Sequence, residues 1–244
     1  MDAAELIHRY AAGERDFSGV DIRRIRLSRA DLYQISLKNA ILSGASLTDA
    51  DLRGADLTRA DLANVNMNGA SLVGASLYGA DLTGVEMRYV DLYRVDCRNA
   101  IFAGADLFEA DLRETNLENA DLRETILRKA NLRQAKLDGV KLHDADLRDA
   151  DLRGASWQGV ELVRACFEGA NLSYTNLPEV SLNEANLRKA SLNSSILTKA
   201  SLSEADLSTA SLKGTKLDGA NLYGANLSGV DLTQADLKMA DLTG

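Results

Sequence analysis

Apart from its carboxylates, this chain has few of the side chains that usually carry catalysis or hold metals. The 244 residues include two His, His8 and His143, and two Cys, Cys97 and Cys166, and their spacing fits neither a Ser–His–Asp set nor a zinc site. Asp and Glu number 36, and paired carboxylates can act as general acid and general base. Because Asp recurs at multiples of five positions, the spacing indicates a structural repeat instead. We therefore expect no enzyme activity, no catalytic residue, no cofactor and no metal site.

Charge and composition restrict the class of protein further. The net charge of -8 argues against direct nucleic-acid binding, which depends on Lys and Arg neutralising phosphate. The sequence has no apolar signal segment and no run of about 18 apolar residues, so we expect neither secretion nor a membrane span. Cys97 is predicted to lie in the core and Cys166 outside it, about 17 Å away, which is too far for a disulfide. These features favour the cytoplasm.

A five-residue register dominates the sequence. From Phe17 to Leu242 a large apolar residue, here called the central residue, recurs at every fifth position for 46 repeats without a break, and 38 of these residues are Leu. Two positions earlier lies a column of small residues, mostly Ala. The position between the two columns is Asp, Asn or Ser in 35 of the 46 repeats.

A period of five fits neither an α-helix nor a flat strand. On a helix, five residues rotate a side chain by about 140°, and on a strand successive central residues would lie on opposite faces. Both apolar columns can be buried together only if each pentapeptide forms one short side and one corner. The pattern therefore predicts a solenoid with a shared apolar interior.

The placement of Gly supports these corners. Seventeen of the 18 Gly lie two residues after a central residue, where a type II turn requires a positive φ at its third residue. Asn, which tolerates a positive φ, takes this position at Asn39, Asn64, Asn99 and Asn119. The single Pro, Pro178, follows the central residue Leu177, at the second position of such a turn, where its fixed φ is suitable.

Runs such as residues 50–57, Ala-Asp-Leu-Arg-Gly-Ala-Asp-Leu, resemble the pentapeptide-repeat family, and the resemblance covers residues 15–244. It implies an all-β fold, a right-handed quadrilateral parallel β-helix with four pentapeptides in each coil. Residues 15–244 would then form one domain of about 11 to 12 coils, about 55 Å long at the spacing of parallel strands.

Residues 1–14 are predicted to form a short N-terminal capping α-helix. Asp2 and Glu5 fit a capping box, apolar residues from Leu6 to Tyr10 follow at helical spacing, and Gly13 is a C-terminal stop. The sequence ELIHRYAAGERDF of this region resembles the N-terminal caps of cyanobacterial members of the family, among them a regulator of heterocyst differentiation. We expect the helix to cover the first apolar layer of the solenoid.

At the other end, the repeats around Leu237 and Leu242 are followed by no capping segment in this sequence. An uncovered edge of strands can pair with another chain. One hypothesis is therefore end-to-end self-association, giving a homodimer through the last coil. The alternative is that frayed final repeats are tolerated.

With four pentapeptides in a coil, outward positions of successive coils line up in columns. One group of columns is rich in Arg and aromatic residues, which dominate binding hot spots, and we call it the strip. Its members are Arg88, Tyr89, Tyr93, Arg94, Phe108, Arg113, Arg128, Arg133, Arg148 and Arg153. The sequence leaves two interpretations open, since acidic residues such as Asp111 and Asp151 interleave with the arginines. The strip is either a protein-binding surface or a solvated lattice of ion pairs.

Two functions from different classes remain. The first is a non-catalytic scaffold for protein–protein interaction, with a regulatory role suggested by the N-terminal resemblance and another protein, unidentified, as its partner. The second, implied by the family resemblance, is a DNA mimic that inhibits or protects a type II topoisomerase such as gyrase. A mimic needs a continuous negative surface, which the Arg columns interrupt, so the sequence favours the scaffold.

Overall fold

The computed structural model describes residues 1–244 as one helix followed by a continuous solenoid. The helix, α1, spans Ala3–Ala11. Beyond it, every β-bridge pairs a residue in parallel with its equivalent four pentapeptides later, from Asp16 with Ser36 to Asn221 with Asp241. The strands are thus single bridged positions, four to a coil, and not extended segments. The chain is a right-handed quadrilateral parallel β-helix, and the predicted fold is confirmed.

Each coil has four faces, which we name by their central residues. The same face recurs after every four pentapeptides. The central residues run from Phe17 to Leu237 on face A, from Ile22 to Leu242 on face B, from Leu27 to Leu227 on face C, and from Leu32 to Leu232 on face D.

The core is one apolar cluster of 76 buried residues, supplied by the two inward columns. Where the small column carries a hydroxyl, the hydroxyl donates to a backbone carbonyl inside the core. Thr115 Oγ1 donates to the Leu92 carbonyl at 2.7 Å, and Thr125 Oγ1 to the Leu122 carbonyl at 2.7 Å. These bonds remove the penalty of burying a polar group.

Every corner contains a residue in the left-handed region. The 46 third corner positions from Gly19 to Gly244, 17 Gly and 29 other residues, all have a positive φ. Besides Asn, the other residues include Arg24, Tyr89 and Lys129, at φ of 58°, 58° and 56°. A side chain in this region costs about 1–2 kcal/mol, and at most corners backbone hydrogen bonds to the neighbouring coils hold it there.

The polar residue between the two inward columns, usually Asp, Asn or Ser, accepts a backbone hydrogen bond from the corner that follows it. Asp51 Oδ1 accepts the backbone N–H of Arg53 at 3.1 Å, and Asn66 Oδ1 accepts that of Asn68 at 3.1 Å. These N–H groups belong to the first corner residue and donate to no backbone carbonyl. Short acceptors two residues earlier satisfy them, which explains why Asp, Asn and Ser predominate there.

Helix α1 lies over the first coils. Asp2 Oδ1 accepts the Glu5 backbone N–H at 2.9 Å and caps the helix. Leu6 is fully buried in the apolar cluster. The Tyr10 hydroxyl donates to the Tyr33 carbonyl at 2.9 Å. The helix therefore shields the lower end of the core from solvent.

The ladder opens at one place, after the coil that contains Trp157. The backbone N–H groups of Trp157, Gly159, Leu162 and Arg164 donate to no backbone carbonyl, whereas the equivalent groups one coil earlier all donate to the next coil. On face C the same two coils remain bonded, because the Phe167 N–H donates to the next coil at 2.8 Å. The two coils are therefore separated at the corner between faces A and B and joined on the opposite side.

Candidate functional site

The ten residues of the strip lie together on two adjoining faces. Face C carries Arg88, Phe108, Arg128 and Arg148 in the outward slot after the central residue, and face D carries Tyr93, Arg113, Arg133 and Arg153. Tyr89 lies at the corner between these faces and Arg94 at the next corner. The coil of four pentapeptides that the family resemblance implied thus brings these residues side by side.

Aromatic side chains cluster at the N-terminal end of the strip. Tyr89 and Phe108 meet edge-on, with ring centroids 5.8 Å apart, and Tyr89 is 58% exposed. The guanidinium groups of Arg94 and Arg113 lie 4.8 Å and 5.4 Å from the Tyr93 ring centroid. Cations over aromatic faces attract, and such clusters supply large contact areas with little loss of side-chain freedom.

Most arginines of the outward slot are held by an Asp two residues earlier. Arg148 Nε and Nη2 donate to the two carboxylate oxygens of Asp146 at 2.7 Å and 2.5 Å, and Arg153 binds Asp151 at 2.8 Å and 2.5 Å in the same way. Seven Asp–x–Arg triplets pair like this, at Arg23, Arg53, Arg98, Arg113, Arg123, Arg148 and Arg153. The bidentate geometry fixes both side chains.

Two arginines of the outward slot that lack such an Asp reach the next coil instead. Arg88 Nε binds Asp106 of the next coil at 2.6 Å, and Arg188 contacts Asp206 in the same relation at 3.6 Å. Asp106 and Asp206 are available because Phe108 and Ser208, not Arg, follow them two positions later. Pairing within one repeat therefore takes precedence over pairing between coils.

Arg128 and Arg133 are the two arginines of the strip that form no ion pair. Ile126 and Asn131 stand two residues before them, where the triplets have Asp. The corresponding carboxylates of the next coil, Asp146 and Asp151, are already held by Arg148 and Arg153. The Nε of Arg128 is buried and has no hydrogen-bond partner.

The strip as predicted from the sequence does not distinguish the paired arginines from these two. The residue two positions before each Arg could have revealed the difference. It is Asp in the triplets, but Ile126 before Arg128 and Asn131 before Arg133. Unpaired arginines also occur in the first three coils, outside the strip: Arg15, Arg24, Arg26 and Arg59.

Pairing with Arg keeps the Asp carboxylates of the triplets deprotonated. Burial alone would raise the pKa of Asp111, Asp146 and Asp151, but the hydrogen bonds from the paired Arg side chain and backbone N–H outweigh it and hold each pKa below its usual range. Hydrogen bonding to Asp146 raises the pKa of the Arg148 guanidinium. These carboxylates are therefore ionised at neutral pH.

A cleft of about 950 Å³ lies where the ladder opens, on the opposite corner from the strip. Its lining includes Trp157, Val160, Pro178 and Val180. Trp157 Nε1 is buried there without a hydrogen-bond partner. No sequence expectation pointed to this opening.

The other chemically active residues do not form a site. Burial raises the pKa of the Cys97 thiol, which lies in the core, and Cys166 is half-buried on face C. His143 contacts Glu161 at 3.2 Å. No group of three or more His, Cys, Asp or Glu side chains is arranged to hold a metal ion. Helix α1 is far too short to cross a bilayer, and the structure has no other helix.

Comparison with known proteins identifies a family whose model matches the repeats. The family model described as pentapeptide repeats matches in overlapping segments that span residues 16–88 and 91–244. Among curated proteins, none matches this chain.

Several solved structures are similar. HetL, a pentapeptide repeat protein involved in heterocyst differentiation regulation in the cyanobacterium Nostoc sp. strain PCC 7120, is 30% identical, with 98% of this chain and 96% of that chain covered and a TM-score of 0.65. Rfr23 from the cyanobacterium Cyanothece 51142 is 24% identical over 71% of this chain and 98% of its own, with a TM-score of 0.22. QnrB1, a plasmid-mediated fluoroquinolone resistance protein, is 22% identical over 76% of this chain and 88% of its own, with a TM-score of 0.32.

Proposed function

This chain belongs to the pentapeptide-repeat family, and we propose that it is a non-catalytic scaffold that binds another protein through the strip. The observation that carries the proposal is the grouping of ten Arg and aromatic residues on faces C and D, with an exposed aromatic cluster at one end and two unpaired arginines among them. The β-helix supports this function because a rigid surface loses little freedom when it binds.

We also propose that the interaction is regulatory. The support is the similarity to HetL over 98% of this chain, together with the role in differentiation that is described for HetL. Since one fold serves many functions, the identity of the partner has to come from experiment. The free thiols of Cys97 and Cys166 support a reducing compartment, the cytoplasm, as the location.

Affinity capture from a lysate of the source organism tests the scaffold proposal. The bait is the full chain, and the variant carries Arg113→Glu, Arg128→Glu and Arg133→Glu. The control carries Arg98→Glu and Arg123→Glu, which reverse arginines on faces A and B. Proteins lost with the strip variant and retained with the control support the proposal, whereas identical recovery with all three baits contradicts it.

The topoisomerase alternative has less support. On faces C and D the carboxylates Asp106, Asp111, Asp146 and Asp151 are each paired with an arginine, so the surface does not present a continuous row of free negative charges like a phosphate backbone. We expect neither inhibition nor protection in a gyrase supercoiling assay at micromolar protein. Either effect would restore the alternative.

A further proposal concerns the last coil. Leu242 is 50% exposed and Met239 is 91% exposed, and Leu237 is only partly buried, although central residues of the preceding coils are fully buried. We propose that this apolar end face contacts a second copy of the chain, because such a contact would bury the partly exposed leucines.

A further inference from the structure

Arg128 and Arg133 occupy the position of a bound arginine but lack the carboxylate. Every other Arg in the outward slot after a central residue is paired with an Asp, either within its repeat or on the next coil. We propose that Arg128 and Arg133 bind two carboxylates of an acidic segment of the partner protein. The inference rests on the proposed function, since it names what the strip recognises.

The chain itself indicates the chemistry of the missing group. The guanidinium of Arg148 makes a bidentate contact with Asp146, directly above Arg128 in the same column. A guanidinium fork matches a carboxylate in this way and gives short charge-assisted bonds. Ile126 and Asn131 fill the place of that Asp, and the Nε of Arg128 is buried. The terminal nitrogens Nη1 and Nη2 of Arg128 and Arg133 have no partner within the chain, and they are the groups that an Asp or Glu side chain from outside can reach.

An apolar contact accompanies the two charges. Ile126 is 38% exposed on face C, in the same coil as Arg128, and the aromatic pair Tyr89 and Phe108 lies lower on that side. An exposed apolar residue beside unpaired arginines fits an acidic segment that also carries an apolar side chain. Desolvation around that contact would strengthen the ion pairs.

A nucleic acid fits this surface less well than a protein segment does. The chain has a net charge of -8, and Glu109, Asp146 and Asp151 lie around the two arginines, each with a cation of its own. A phosphate backbone would bring further negative charges against them. A protein segment that places one carboxylate at each of the two unpaired arginines would bring no further negative charge against these acidic residues.

Binding of synthetic peptides by fluorescence anisotropy tests the inference. The probes are labelled, end-capped peptides of sequence Gly-Glu-Leu-Glu-Gly and Gly-Gln-Leu-Gln-Gly, and a labelled oligothymidine. We expect the full chain to bind the Glu peptide at least tenfold more tightly than the other two. Undetectable binding of the Glu peptide at millimolar concentration, or tighter binding of the oligothymidine, overturns the inference.

One variant separates free arginines from general charge. Ile126→Asp with Asn131→Asp completes two triplets, so each Arg gains its own carboxylate while every Arg is retained. We expect affinity for the Glu peptide to fall at least tenfold. The control, Ile101→Asp with Asn116→Asp, makes the same replacements on faces B and A, where Ala103 and Glu118 follow two positions later, and should change affinity less than twofold.

The outcomes distinguish this inference from the scaffold proposal. Equal weakening by both double variants would show a general charge effect and contradict the role of Arg128 and Arg133. If affinity capture still depends on the strip while the completed triplets capture the partner normally, the scaffold proposal stands and this inference fails. If capture depends on neither, the scaffold proposal itself fails. Circular dichroism of each variant confirms that the β-helix is retained.

Discussion

The indole ring of Trp157 meets the phenyl ring of Phe167 edge-on across the interior of a single coil, with 6.3 Å between the ring centroids. These central residues lie on faces A and C, where other coils have at most one aromatic ring. Two rings need more room than two leucines, and an overfilled core shifts the backbone. We expect this crowding to be the cause of the opening in the ladder beside this coil.

Trp157→Leu should close the opening. Leu is the usual residue of the column, and its smaller volume allows the N–H groups of Gly159 and Leu162 to bond with the next coil. We expect slower hydrogen exchange at these amides and a gain of about 1–3 kcal/mol in the free energy of unfolding. Phe102→Leu, in a coil with an intact ladder, serves as the control and should lower stability. Unchanged exchange at Leu162 would show that Trp157 does not cause the opening.

Removing Arg148 should transfer its carboxylate to Arg128. In Arg148→Gln, Asp146 is released and Arg128 stands one coil before it, in the relation that Arg88 has to Asp106. We expect carboxyl NMR titration to give Asp146 a pKa still below its usual range. In the double variant Arg128→Gln with Arg148→Gln, the pKa should return toward the usual range. A full return in the single variant would contradict the proposed order of pairing.

Stability should fall in acid. The paired Arg side chains lower the pKa of carboxylates such as Asp96 and Asp121 in the folded chain. Since a lowered folded pKa stabilises above the unfolded value of about 3.9, that contribution is present at neutral pH and is lost as pH falls through the folded pKa. Urea midpoints should therefore decrease between about pH 5 and pH 2. Asp96→Asn with Asp121→Asn should flatten this dependence, and parallel curves for variant and parent would contradict it.

Replacement of two corner glycines by Ala should lower stability by different amounts. Gly74 and Gly139 have φ of 67° and 70°, so Ala is strained at both, by about 1–2 kcal/mol. A Cβ at Gly74 meets nothing within 4 Å, whereas one at Gly139 lies 3.3 Å from Asn119 Cγ. Gly139→Ala should therefore lower the denaturant midpoint more than Gly74→Ala. Gly139→Ala combined with Asn119→Gly should recover the difference, and equal losses in the two single variants would exclude the contact with Asn119.

Self-association through the last coil predicts a concentration-dependent mass. Light scattering should show dimer at high concentration, and Leu237→Glu with Leu242→Glu should yield monomer because charge disfavours burial of the end face. The same replacement of exposed residues elsewhere, Ile101→Glu with Ile126→Glu, should leave the dimer intact. A monomer at every concentration would refute this proposal.

The sequence alone determined the register, the interior and the corners. Leu52, its preceding Ala50 and the following Gly54 each act within one pentapeptide, and the same local requirement repeats 46 times. A repeated local pattern buries both columns only in a solenoid. The family resemblance supplied the four sides of the coil, and with them the columns that form the strip.

Only the tertiary structure decided which charges are free and where the ladder opens. Whether Arg128 is paired depends on Asp146 in the next coil and on its competitor Arg148. The space available to Trp157 depends on Phe167, two pentapeptides away across the interior. Both are relations between repeats, and a pattern read one repeat at a time contains no information about competition for a shared carboxylate or a shared volume.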